Sequence, residues 1–418
     1  MPNARIDAYR IESYSTFGSK IFRVIERRDG IKCKTQVSTD LNSISATKDL
    51  GQAFDLAWLQ NSKRVNVKKA GKALYAVDLF AGCGGLSLGV KEGAKALGFE
   101  LDIKLAVDTD KDALAVFGLN FPETELFVGP VEDLLTGKNG EQPTHNEVAL
   151  KRRLGRVDIV IGGPPCQGHS ALNNHTRGSD ERNELYLKMA RFCEIVKPKH
   201  VLIENVPGVL KDKHQVAQKT WKELERMGYF VQSVTIDVSR FGVAQKRKRN
   251  LTIASLLVDE DINEYLEAMA VPVRPLKWAI KDLEKMYSPE SVWDSAPNPS
   301  SENKKRMKYL FDRDLFDLPD SQRPDCHRLK QHSYVSVYGR LHWGKPAQTI
   351  TTGFGSMGRG RNVHPAKQRT ITPHEAARIQ FFPDSFSFGN FGRTLYQKFI
   401  GNAVPPKLGY LIGVFLFR

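Results

Sequence analysis

A cysteine follows two prolines in Gly162-Gly163-Pro164-Pro165-Cys166-Gln167, directly after the apolar run 157–161. The prolines fix the backbone and set the next side chain at the C-terminal rim of a strand. A thiol there can act as a nucleophile once its pKa falls below the ordinary ~8.5. The plainer reading is a buried cysteine packing as a small apolar group. Glu204 holds the same place after the next apolar run, 200–203, so adjacent parallel strands would bring it close to Cys166. A carboxyl group in such a pocket can stay protonated or hydrogen-bond a ring nitrogen. Gln245-Lys246-Arg247-Lys248-Arg249 carries four cations in five positions. Extended, it puts Arg247 and Arg249 on one face and the lysines on the other. A solvated basic run is the alternative, but residues 251–254 continue as a buried strand, which favours a role in the site.

A second constellation lies upstream. Phe80-Ala81-Gly82-Cys83-Gly84-Gly85 separates the apolar run 73–80 from a helical pattern over 86–97. Glycines there let the backbone turn tightly and approach a ligand, outside the carboxyl ends of the strands. The spacing departs from the GxGxxG dinucleotide fingerprint. Asp108 ends the next strand, where a carboxylate can accept both ribose hydroxyls of a nucleoside. A plain tight turn and a solvated acid explain each feature taken alone. Together they point to an adenosine-containing cofactor, with NAD and S-adenosylmethionine both open at this level.

The elements that must position these groups follow from periodicity. Short apolar runs at 73–80, 104–107, 157–161 and 200–203 alternate with helical patterns, which predicts an α/β fold built on a parallel sheet. Residues 1–70 read differently. Two short strand patterns split by Asp29-Gly30 suggest a hairpin, then come a helix near 50–59 and a basic linker. Residues 272–368 are rich in Pro, Ser, Asp and Lys and suggest a smaller, irregular unit. Order returns at 372–380, a helix with proline at its first position. The chain of 418 residues is 41% hydrophobic with a net charge of +15, an excess that favours a polyanionic partner, most plausibly nucleic acid. No apolar run nears the ~20 residues of a membrane span, and the first residues have no secretory pattern. Cys33, Cys83, Cys166, Cys193 and Cys326 form no pair or cluster at metal-binding spacing, so no metal site is expected.

The segments DLFAGCGG, GGPPCQGHS, ENV, QKRKR, RTITPHEAARIQFFPD and GNAVPP occur in this order. They closely resemble the ordered motifs of DNA cytosine-5 methyltransferases, over about 74–261 and 369–418. The resemblance implies a doubly wound, Rossmann-like methyltransferase sheet with S-adenosyl-L-methionine as cofactor. It implies an N-terminal extension (1–70), a small β element or DNA-contacting arm, then a catalytic domain (71–270) and a target-recognition domain (271–390). Residues 391–418 would return to the catalytic domain. Phe80, Gly82, Cys83, Gly84 and Gly85 would wrap the methionine part of the cofactor. Asp108, with Thr109 beside it, would hold the ribose, and Val131 would pack on the adenine. Gly163, Pro165 and Leu185 would lie near the cofactor, and Asn402 and Ala403 would close the pocket. Cys166 matches the nucleophile, Glu204 the acid at N3 and Arg249 the guanidinium at O2, while Arg247 would meet a phosphate. The segment from Ser170 to Arg182 would close over a flipped base.

Three positions depart from the family pattern. Pro130 stands where an acid usually contacts the adenine amino group, leaving Glu132 or Asp133 as substitutes. His169 replaces a usual phenylalanine, and Lys248 lies between the two arginines where an acid is frequent. In the region of target recognition, Lys304, Lys305, Arg306 and Lys308 suit phosphates. His342, Arg359, Arg361 and Asn362 are candidates for base readout.

The expected activity is methylation of cytosine C5 in a specific double-stranded DNA sequence, in the cytoplasm of a prokaryote. A cognate restriction endonuclease would be a functional partner. Other readings are a tRNA cytosine-5 methyltransferase, a catalytically silent nucleic-acid-binding protein and an NAD dehydrogenase. The intact Cys166, Glu204 and Arg249 argue against the silent protein, and the glycine spacing against the dehydrogenase.

Overall fold

The computed structural model describes residues 11–39, 49–62, 72–165, 185–328 and 337–418. Glu12–Phe17 (β1), Lys20–Glu26 (β2) and Lys32–Ser38 (β3) form a three-stranded antiparallel sheet, so the hairpin read at Asp29-Gly30 is the second of two. The helix Leu50–Leu59 packs on it, capped by the Asp49 carboxylate. Seven further strands follow: Lys72–Asp78 (β4), Phe99–Asp108 (β5), Glu125–Val128 (β6), Ile159–Gly162 (β7), His200–Asn205 (β8), Phe230–Asp237 (β9) and Lys248–Ser255 (β10). They make one sheet in the order β6-β5-β4-β7-β8-β10-β9.

β4 to β8 are parallel, and β7 and β8 are buried on both faces, as unbroken apolar runs require. β10 departs from the expected all-parallel pattern: it inserts between β8 and β9, antiparallel to both. The connection from β9 explains this. One 3-10 turn, Val238–Phe241, and a left-handed Gly242 reverse the chain, whereas a parallel return needs a longer crossover.

The helix Gly85–Ala96 starts at the glycine loop and lies against Pro406–Phe417 in backbone contact. A Cβ on Gly89 would stand 2.0 Å from the Pro406 carbonyl oxygen, and one on Gly409 2.5 Å from that of Leu86. Neither obstacle is a side chain that can rotate away. Gly409→Val is therefore expected to lower stability by about 1–3 kcal/mol or more through overpacking; thermal unfolding would register it. The stretch Arg393–Phe417 is long and apolar enough to cross a membrane, but 89% of its most apolar window is buried inside the fold. It serves here as core.

The N-terminal element docks through buried charge. Arg23 lies over the rings of Phe54 and Tyr410, at 4.6 and 4.7 Å. Asp55 pairs with Lys407 at 3.0 Å and with Arg274 at 2.8 Å. Arg28 bonds Glu260 and the carbonyls of Phe415 and Arg418.

Past β10 the helix Ser301–Asp312 and irregular loops surround a small core of Met307, Leu310, Leu318, Val337, Tyr338, Met357 and Val363. The helix Pro373–Ile379, grouped by sequence with 271–390, packs instead into the large core, where Phe381 stacks on Trp58.

Candidate active site

β4 ends at Asp78, whose buried carboxylate accepts the Ser87 hydroxyl at 2.7 Å. Burial pushes its pKa up to about 7. The loop beyond bends through Gly82 (φ +51°) and Gly84 (φ +92°). At Gly84 a Cβ would also strike the rings of Phe121 and Phe117, at 2.8 and 2.9 Å. The Gly82 N–H donates to Asp108 Oδ2 at 2.8 Å and the Asp110 N–H to Asp108 Oδ1 at 2.9 Å. Asp108 is thus tied to the glycine loop by Gly82 and to its own segment by Asp110, and each oxygen keeps a lone pair for a further donor. Burial raises its pKa while those N–H groups oppose the rise.

Around this rim, Val131 is buried at the start of a 3-10 turn, and the Gly129 N–H ties that loop to the Asp108 carbonyl. Phe80, Gly163, Pro165 and Leu185 are half-buried, Thr109 and Asn402 exposed, and Ala403 buried. Cys83 faces the core, its Sγ 3.8 Å from the Phe399 carbonyl oxygen. Burial pushes its thiol up to about 12, so it stays protonated and contributes only backbone to the loop. A tight glycine turn, a fixed strand-end carboxylate and an apolar wall fit an adenosyl cofactor. Glu132 and Asp133 are both exposed at the 3-10 turn after Pro130.

At the reactive end, β7 and β8 run in register with Gly162 opposite Ile203. A Cβ on Gly163 would lie 3.3 Å from Glu204 Oε2, so glycine lets the two strand ends close up. The Asn205 amide donates to the Pro164 carbonyl at 3.3 Å and holds the proline pair from β8. Glu204 is 8% exposed, and its Oε1 meets Arg249 Nε at 2.6 Å. Cys166 lies outside the described residues, as do His169 and the segment from Ser170 to Arg182. Its lead-in, Gly163 to Pro165, ends beside Glu204.

Arg247 departs from the expected phosphate contact. It is 2% exposed and donates to the carbonyls of Ile350, Gly401 and Ala403, at 3.0, 3.4 and 3.0 Å. A guanidinium capped by three carbonyls and sealed from solvent has no face for DNA. The lysines beside it, Lys246 and Lys248, are exposed. Sequence reasoning missed Gln245, which is fully buried and bonded to Gln380. The same alternation that paired Arg247 with Arg249 includes it.

Two base-readout candidates are also spoken for. Asn362 is buried and donates to the carbonyls of Gly353 and Ser356. Arg361 bonds the carbonyls of Phe316 and Arg340 and pairs with Asp317. His342 packs on Phe316 and accepts the Gly344 N–H. Arg359, Lys304, Lys305 and Lys308 remain at the surface, and Arg306 is half-buried.

A family model described as C-5 cytosine-specific DNA methylase matches residues 74–417. The chain belongs to this family. The methylase is 42% identical over 413 residues to the Type II methyltransferase M1.BsuMI of Bacillus subtilis, covering 99% of this chain and 96% of that one. It is 29% identical to DNA (cytosine-5)-methyltransferase 3 of Arabidopsis thaliana, over 82% of this chain but only 30% of that longer protein. Among solved structures, Schizosaccharomyces pombe Dnmt2 aligns with a TM-score of 0.58 at 18% identity, over 82% of this chain and 98% of that one. The Entamoeba histolytica methyltransferase EhMeth gives 0.54 at 17%, over 83% and 98%. Those two likenesses show the fold. The methylase transfers a methyl group from S-adenosyl-L-methionine to C5 of cytosine in DNA.

Proposed function

We propose that Cys166, Glu204 and Arg249 carry out this transfer on a cytosine flipped from duplex DNA. The observation that carries the assignment is the Glu204–Arg249 pair, 2.6 Å apart beside the strand end that leads into Cys166. Cytosine C5 is a poor nucleophile. Addition of the Cys166 thiolate at C6 makes the ring an enamine and C5 nucleophilic. Glu204 holds N3 and Arg249 holds O2, where negative charge develops. After transfer the C5 proton leaves, the C6–S bond breaks and the thiolate returns. None of these atoms is reachable within the base stack, so the base must turn out at a cost of a few kcal/mol.

S-adenosyl-L-methionine, when bound, supplies an electrophilic methyl group. Asp108 would bind its ribose, with Thr109 alongside. Phe80 and the loop Gly82-Cys83-Gly84-Gly85 would enclose the methionine portion, and Val131 would lie against the adenine. Gly163, Pro165, Leu185, Asn402 and Ala403 would complete the walls. The exposed Lys246 and Lys248 would meet DNA phosphates, a role that positions without specifying.

Residues 271–371 would read the sequence. The kinship with a protein named as a Type II methyltransferase supports a specific site, a restriction endonuclease as functional partner and a cytoplasmic place of action.

A covalent trap tests the assignment. Duplex DNA carrying 5-fluorocytosine at the target, with S-adenosyl-L-methionine, is expected to leave an adduct that peptide mapping places on Cys166. Fluorine at C5 cannot depart as a proton does, so elimination stops. An adduct on another residue, or label transferred to tRNA and not to DNA, would overturn the reading. Bisulfite sequencing of a plasmid expressing the chain then gives the recognition site.

A further inference from the structure

Three distant segments meet at Arg247. Its Nη1 donates to the Ile350 carbonyl at 3.0 Å and its Nη2 to that of Ala403 at 3.0 Å, and both reach Gly401 at 3.4 Å. Two residues earlier, Gln245 accepts the Ile350 N–H at 2.7 Å and donates to Gln380, whose amide donates to the Ile400 carbonyl at 2.6 Å. Two residues later, Arg249 meets Glu204. One face of the chain across the start of β10 thus holds residues 350, 401 and 403 at one end and the Glu204–Arg249 ion pair at the other. The held segments also touch each other. A Cβ on Gly401 would stand 2.3 Å from the Thr352 nitrogen.

We infer that Arg247 is a positioning residue that couples occupation of the cofactor wall at Asn402 and Ala403 to the setting of the Glu204–Arg249 pair and of the 347–352 segment. The inference rests on the cofactor and base sites proposed above. A planar guanidinium is suited to this, since its fixed fork of donors reaches several carbonyls at once. A lysine ammonium is a point charge on a mobile stem and cannot span them. Buried in this way, the side chain can transmit a shift of the 401–403 backbone only to the groups it bonds and to its own strand.

Hydrogen exchange on the wild-type chain, with and without S-adenosylhomocysteine and without DNA, reads the coupling directly. Slower exchange is expected at 400–404, at 347–352 and at 248–250. Protection confined to 400–404 would overturn the proposal. Arg247→Lys is expected to raise the KM for S-adenosyl-L-methionine and the Kd for S-adenosylhomocysteine together, roughly tenfold, and to lower kcat. Arg249→Lys should lower kcat and leave that Kd unchanged. An Arg247→Lys protein with unaltered Kd and kcat, or one whose loss follows its folded fraction alone, would sink the coupling. If the variant does not fold, the wild-type exchange decides. A wild type that fails to bind S-adenosylhomocysteine would count against the cofactor reading instead.

Discussion

Cys166→Ala is expected to abolish methyl transfer, and Glu204→Gln to slow it by about 10²–10⁴-fold. The alanine variant has no nucleophile at that strand end, and the thiols of Cys83 and Cys193 are buried and held protonated. The glutamine variant keeps the shape of Glu204 but has no proton to give and no charge for Arg249. A loss of that size corresponds to about 3–5 kcal/mol of barrier. It should fall on kcat, because N3 gains its charge only as the thiolate adds. Single-turnover transfer of labelled methyl, beside the Kd for duplex DNA, separates the two. A Glu204→Gln protein with unchanged single-turnover rate would remove Glu204 from the mechanism. A parallel fall in DNA affinity would assign it to binding.

The second large effect concerns stability. Asp55→Ala is expected to cost about 3–5 kcal/mol, because it leaves two buried cations, Lys407 and Arg274, without their carboxylate. The penalty should depend on pH. Burial alone would raise the Asp55 pKa, but Lys407 and Arg274 outweigh it and hold the carboxyl below its usual value. A depressed folded pKa gives stability that is complete above the unfolded value, near ~3.9. It is lost as pH falls through the folded pKa. Urea midpoints of wild type and variant should therefore lie far apart at neutral pH and converge in acid. A gap that stays constant to the lowest pH would show that packing, not charge, holds the element in place.

The strands were legible where an apolar run ended on glycine or an acid. β4, β5, β7 and β8 fell out in this way, and so did the rim where Asp108, Gly163 and Glu204 stand. The direction of β10 was not legible, because alternation of side chains is the same in a parallel and an antiparallel strand. Depth was lost too. The sequence puts Arg247 and Arg249 on one face but cannot tell that carbonyls from residues 350, 401 and 403 close over the first. Asn362 and Arg361 were misread for the same reason, since a backbone acceptor leaves no mark in the side-chain pattern. Nothing in the sequence marks Asp55, on a short helix, as buried. Its partners are Lys407, 352 positions away, and Arg274, and only the fold brings those cations to it.

The contact between Gly85–Ala96 and Pro406–Phe417 has a consequence for synthesis. The loop that opens the first helix touches residues 316 positions later, at Cys83 and Phe399. During translation the stretch at Asn402 and Ala403 is made long after the glycine loop it packs beside. Until the Pro406–Phe417 helix leaves the ribosome, Gly89 and Gly93 have no backbone to seat against. A nascent chain that has not yet presented this helix would therefore carry an incomplete wall beside the glycine loop.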